Sequence, residues 1–339
     1  MTDPVSSRII GVEPAWAVPG GRVLLCGSGL PSAMPRPPVV RVGGSVAQVV
    51  LAGPSRIAFL VPSDAGSGRL AVTVDEVPGE TALEVGAPFA TGLHQVDSPA
   101  FGPDGTLYVT FSGTRGQKVP VSVFRASAPG VTEPLVAELT NATSLAVDAA
   151  GVLYVSSRFD GAVYRVSADG TFGAVARELG VACGIAFGAD GTLYVGDRGG
   201  TIFRVRPPAR AIPFVSLPPS VAAFHLAAGP DDALFVTAPT FATRDHVYRV
   251  DRHGDVRVVS SEFGRPQGLA VAEDESLYVV DAVAGGAGLY RVASGRPREL
   301  VLSAPSLVGV AFDPGGGLAV ASADTVYRLD IGLRPWRTR

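Results

Sequence analysis

The chain has 339 residues, 47% of them hydrophobic and only 17% charged, with 42 Gly and 28 Pro and a formal net charge of -3. The length allows about two domains, and the low charge without any Lys/Arg block excludes a nucleic-acid or anionic-membrane footprint. Two distant cysteines, Cys26 and Cys183, exclude a disulfide framework and a structural zinc site.

The N-terminal "MTDPVSSRIIGVEP" has no basic n-region followed by an apolar h-region. No apolar run is long enough to span a bilayer. The expectation is a cytoplasmic protein, or an extracytoplasmic one if a presequence was removed.

Residues 1–85 read as one unit. "RIIGVEP", "RVLLCGSGL", "VVRVGGSVAQVVLAG", "RIAFLVP" and "RLAVTVDEVPG" are short β-type runs bounded by Gly, Pro and Ser. Such spacing predicts a small β-sandwich. With Pro14, the pair Gly20–Gly21, and Gly27 and Gly29, the stretch resembles the TIG (IPT) type of immunoglobulin-like domain. That resemblance implies an accessory or docking role and no reaction.

The rest of the chain repeats. Strand-like cores "DGTLYVTF", "AGVLYVSS", "DGTLYVGD", "DDALFVTA", "DESLYVVD" and "GGGLAVAS" place a Leu at 107, 153, 193, 234, 277 and 318. A period near 40 residues indicates a propeller or a solenoid. Each core is preceded by a run such as "GIAFGA" and followed by one such as "VYR", then by a weaker run such as "IPFVSLP". Four strands per repeat, apolar on both faces, predict a six-bladed β-propeller over 86–332 with a tail at 333–339. The sixth repeat lacks a fourth run after "TVYRLDIG", and "GAPFATGLHQ" before the first repeat resembles one. The segment near 86–93 is therefore expected to supply the last blade's outer strand and remove an open edge.

The six units resemble the NHL-repeat and senescence-marker-protein/gluconolactonase group of propellers, from about Gly86 to Gly332. The resemblance implies the fold and leaves the activity open, because these propellers include hydrolases, lyases and non-catalytic binders.

Six internal copies separate scaffold from site. The Arg at 125, 165, 204, 249, 291 and 328 recurs in every repeat and reads as structural. The positions before the first strands differ from copy to copy: Asp97, Thr143, Cys183, Phe224, Gln267 and Val308, with His225 beside them. Strand alternation puts them on the same face as the loops after the second strands. Those loops carry Arg158, Asp160, Asp197, Arg198 and Asp281, and Asn141 lies nearby. In "GDRGG", Asp197 and Arg198 look particular to the third repeat. The expected ligand contacts are Asp97, Asn141, Arg158, Asp160, Cys183, Asp197, Arg198, Gln267 and Asp281.

The gluconolactonase resemblance implies a divalent cation, calcium or zinc, in the channel, with Asp97 at the position of the family's acid. Cys183, Phe224 and Gln267 stand where further hard oxygen donors are needed. Asp97 reads equally as a turn residue before Ser98-Pro99. No G-x-S-x-G elbow, H-E-x-x-H pair or phosphate-binding Gly loop is present. Two functions follow. The first is a propeller binding a small polar molecule, glycan or protein at its mouth, with the TIG-like unit as a docking module. The second is a metal-dependent lactonase-type hydrolase acting on a sugar lactone or related ester, with His225 as the base and Arg158 or Arg198 orienting an anionic group.

Overall fold

The structure, a computed structural model, describes residues 7–32, 37–206 and 210–336. The first six residues of the stretch read for a leader, and the last three of the tail, lie outside them. The described chain is all β apart from one short 3-10 turn at Pro230–Asp232. Contacts divide it into two compact units. One gathers the described residues up to Ala87 with Ala284–Tyr290 and Glu299–Ser306, and the other gathers Pro88–Val283, Arg291–Arg298 and the chain from Leu307.

In the first unit, Arg8–Glu13, Arg22–Ser28, Arg56–Leu60 and Ser45–Gly53 pair antiparallel in that order. Ser45–Gly53 also pairs with Val40–Val42, which continues to Gly68–Val74 and then Thr81–Val85. Alternating side chains of both arrays, among them Val23, Leu25, Val40, Ile57, Phe59, Val72 and Leu83, are fully buried in one core. The two-residue strand Trp16–Ala17 runs parallel to Thr81–Val85 on one side and to Glu299–Ser303 on the other.

The second unit has a β-propeller arrangement. Repeats one to four each form a four-stranded antiparallel sheet, such as Ala142–Val147, Leu153–Ser157, Ala162–Val166 and Phe172–Ala176. A fifth such sheet joins Leu307–Phe312, Leu318–Ser322 and Thr325–Leu329 to Ala87–Thr91, so the segment before the first repeat is the outer strand of the last. Six separate sheets were expected and five are found. The fifth repeat, which begins with Pro266–Val271 paired to Leu277–Asp281, does not stand apart. Its later residues Ala284–Tyr290 and Glu299–Ser306 group with the first unit. The innermost strands of all six repeats nevertheless adjoin in cyclic order, from Ala100–Phe101 through Ala142–Val147, Ala182–Phe187, His225–Ala228 and Pro266–Val271 to Leu307–Phe312 and back.

The repeated Arg does more than pack its stem. Arg125 pairs with Glu133 at 2.8 Å, Arg249 with Asp231 at 3.6 Å and Arg291 with Asp274 at 2.6 Å. Arg328 pairs with Asp313, and Arg204 lies 3.4 Å over the Phe214 ring. Three of these acids sit in the turn that opens the second strand of the same repeat, so the Arg ties a turn to its own sheet. In the tail, the Trp336 N–H donates to the Val271 carbonyl at 2.9 Å, and Pro335 bridges to Ala272.

Candidate functional site

The innermost strands carry the site. In repeats two, three, five and six the pairing between first and second strands slips, between Ala142 and Leu145, Ala182 and Ile185, Pro266 and Leu269, and Leu307 and Gly309. A bulge of this kind re-aims the side chains it contains. The re-aimed residues are Thr143, Cys183, Gln267 and Val308, and all four line one cavity of about 350 Å³. They lie inside the first strands, not before them as the sequence suggested. Hydroxyls at one repeat position hold two of them. Ser156 Oγ donates to the Cys183 carbonyl at 2.6 Å, and Thr237 Oγ1 donates to the Gln267 carbonyl at 2.5 Å.

The loops complete the cavity. Arg158 and Arg198 come from the turns after second strands, and Gln95, Val96, Val181 and Val221–Ala223 from the connections into first strands. No acidic side chain lines it. The mouth-side convergence of the two loop sets is thus present, with Arg158, Cys183, Arg198 and Gln267 brought together.

Asp97 and His225 lie deeper. Asp97 is 3% exposed and His225 1% exposed, and neither lines the cavity. Their Oδ1 and Nδ1 atoms are 2.6 Å apart, and the same oxygen accepts the Ser98 N–H at 2.6 Å. A carboxylate only accepts, so Nδ1 carries the proton between them. Nε2 of His225 is buried with no partner. Glycines at the equivalent position of neighbouring repeats let the inner strands approach backbone to backbone beside this pair. A Cβ on Gly184 would collide with the Phe224 carbonyl, and one on Gly309 with the Ser98 backbone.

Four of the expected ligand contacts prove to be committed to the scaffold. Asn141 is fully buried and clamps a loop, donating to the Ser112 and Thr114 carbonyls at 2.7 and 2.8 Å while its Oδ1 accepts the Gly116 N–H at 2.7 Å. Asp160 is exposed, lies outside the cavity lining and accepts the Tyr164 hydroxyl at 2.9 Å. Asp197 accepts the Val181 N–H at 2.7 Å. Asp281, fully buried, accepts the N–H groups of Arg265, Gly264 and Val283 at 2.9, 3.1 and 3.2 Å and pairs with Arg298 at 2.9 Å. Asp197 and Asp281 end equivalent strands and fasten equivalent loops. Asp197 is therefore not particular to its repeat.

Cys183 is 2% exposed, and burial pushes its thiol up to about 11, against which the Phe224 N–H works in the opposite sense. It is a neutral thiol at neutral pH, not a nucleophile. The Arg158 guanidinium is held below its usual range, first by burial; Cys183 acts the other way, and Arg198 and Arg115 add to the lowering.

A channel cation does not fit these residues. Asp97 spends one oxygen on two hydrogen bonds, Phe224 and Val308 supply no donor, and the described residues contain no group of three or more His, Cys, Asp or Glu placed to hold a metal.

No family model matches the chain, and no curated protein does either. Solved structures do. The chain is similar to a putative gluconolactonase (16% identity, 74% of this chain and 93% of the other, TM-score 0.60). It is similar to an auxiliary nutrient binding protein from Bacteroides ovatus (16%, 99% of both chains, TM-score 0.53). It is also similar to a catalytically inactive histidine-to-alanine virginiamycin B lyase from Staphylococcus aureus crystallised with quinupristin (14%, 98% and 97%, TM-score 0.53). At these identities the likeness is one of fold.

Proposed function

We propose that the chain is a small-molecule-binding β-propeller whose ligand occupies the cavity at the channel mouth. The observation that carries the reading is the cavity itself: about 350 Å³, bounded by residues from around the ring, with a few polar groups set against Val and Ala side chains. The resemblance to nutrient-binding structures supports it. On this reading the ring has six blades. The fifth is built from the strands between Pro266 and Ser303, in keeping with the cyclic order of the six inner strands. Residues 1–85 act as a TIG-like docking module, 86–332 as the ring and 333–339 as its tail.

The test is a thermal-shift screen of the full chain against polar metabolite-sized molecules. Hits that raise Tm in the wild type and fail with Val308→Trp, which fills the cavity, support the reading. Hits indifferent to Val308→Trp overturn it.

A second reading, a lactonase- or lyase-type enzyme with His225 as base, draws on one observation. Asp97 fixes Nδ1, and Nε2 is left without a partner. Turnover of a lactone panel that disappears in His225→Asn, with the fold intact, would favour it. Because the residues do not fit a cation, no step is assigned to one.

A further inference from the structure

Resting on the binding reading above, we propose that the cavity takes a small organic anion, an oxyanion group on an apolar body, with the oxyanion on Arg158 and Arg198.

Several of the recurring arginines have a protein group against the guanidinium. Arg125, Arg249 and Arg291 each meet a carboxylate, and Arg204 lies over an aromatic ring. Arg158 and Arg198 differ. Neither side chain has a hydrogen-bond or ion-pair partner among the described residues, although Arg158 is half-buried and both face one cavity. Arg198 and Arg115 lie close enough to Arg158 for their charges to oppose its own. Like charges gathered at a partly dry site, with no acid in the lining, are an unfavourable arrangement that an entering anion relieves.

The chain as a whole is acidic, at -3, so this positive mouth is local and draws anions toward the cavity. A guanidinium fork matches a carboxylate or phosphate through two parallel hydrogen bonds. The remaining wall asks for an apolar body, since Val181, Val221, Ala223 and Val308 present only hydrocarbon. Gln95, whose Oε1 is buried without a partner, adds one hydrogen-bonding group for a polar substituent. The volume corresponds to about a dozen waters, room for one ring or a short chain beside the charged group.

The test is titration calorimetry of the full chain with phenylacetate, phenyl phosphate and the uncharged phenylacetamide. Phenylacetate or phenyl phosphate should bind at least about tenfold more tightly than phenylacetamide, and the better of the two identifies the oxyanion. Arg158→Gln and Arg198→Gln should each weaken the anion about tenfold or more without lowering Tm, and added salt should weaken it in the wild type. Phenylacetamide binding as tightly as both anions, and blocked by Val308→Trp, would keep the cavity as a binding site and overturn its charge preference. Saturable anion binding untouched by both arginine variants also overturns the assignment. Absence of binding by all three compounds overturns the charge assignment and the binding reading together.

Discussion

His225 Nδ1 lies 2.6 Å from Asp97 Oδ1, although 128 residues separate the two in sequence and they come from repeats three places apart in a ring of six inner strands. The pair thus reaches across the channel between opposite sides of the propeller. Both groups are shielded from water, so the energy of each depends on the other. Removing one partner leaves the other's buried hydrogen-bonding group unsatisfied, which typically costs about 1–3 kcal/mol. Asp97→Ala should therefore lower the unfolding free energy by roughly that much, and His225→Ala similarly. In a double-mutant cycle followed by urea unfolding, the double variant should be far less damaged than the sum. Strict additivity would mean that the pair is not coupled.

Asp281 and Asp160 are both mouth-side acids by sequence, yet they should respond differently. Asp281→Ala takes the buried acceptor away from three loop N–H groups and removes the carboxylate that pairs with Arg298, so a loss of several kcal/mol is expected. Asp160→Ala removes one exposed acceptor and should stay within about 0.5 kcal/mol. Comparable Tm values for the two variants would refute this distinction.

These contrasts show how far the sequence could be read. The Leu-Tyr-Val cores, the recurring Arg and the outer strand before the first repeat were visible because each is a repeated local pattern. The fate of the mouth-side polar residues was not, because a carboxylate that fastens a loop and one that meets a ligand are the same residue in the same kind of turn. One signal was available. Asp197 and Asp281 both end a "LYV" strand two residues after its Val, and comparing those copies would have marked both as loop fasteners. The bulges at Thr143, Cys183 and Gln267 left no residue pattern to detect, since they arise from how two strands align.

The Cys183 thiol sets an alkaline limit on stability. Its folded value, about 11, lies above the reference of 9.0. A raised value means that the stabilisation is full below about pH 9 and is lost as pH climbs through 11. The amount is about 3 kcal/mol. Unfolding free energy should fall between pH 9 and 11 in the wild type and fall less in Cys183→Ala. Iodoacetamide should label the native protein slowly at pH 8. Rapid labelling at that pH would contradict the buried, neutral thiol.

Gly309→Ala tests the tight centre of the ring. A methyl group there meets the Ser98 and Asp97 backbone, which cannot swing aside as a side-chain tip could. Soluble yield and Tm should both drop sharply. Gly285→Ala, with open space around it, costs only its positive-φ strain, about 1 kcal/mol. Similar losses for the two would argue against close packing at the channel.

The strand Ala87–Thr91 completes a sheet whose other three members begin at Leu307. On the ribosome, that early strand has no mate until nearly the whole chain has emerged. At ~5–20 residues per second, the wait is on the order of ten to fifty seconds. Throughout it the nascent ring has two open ends, both able to pair with a neighbouring chain. The clasp that seals the finished molecule therefore makes its synthesis vulnerable. Slow elongation or crowded polysomes should divert this protein into aggregates more readily than any weakness of the folded state would suggest.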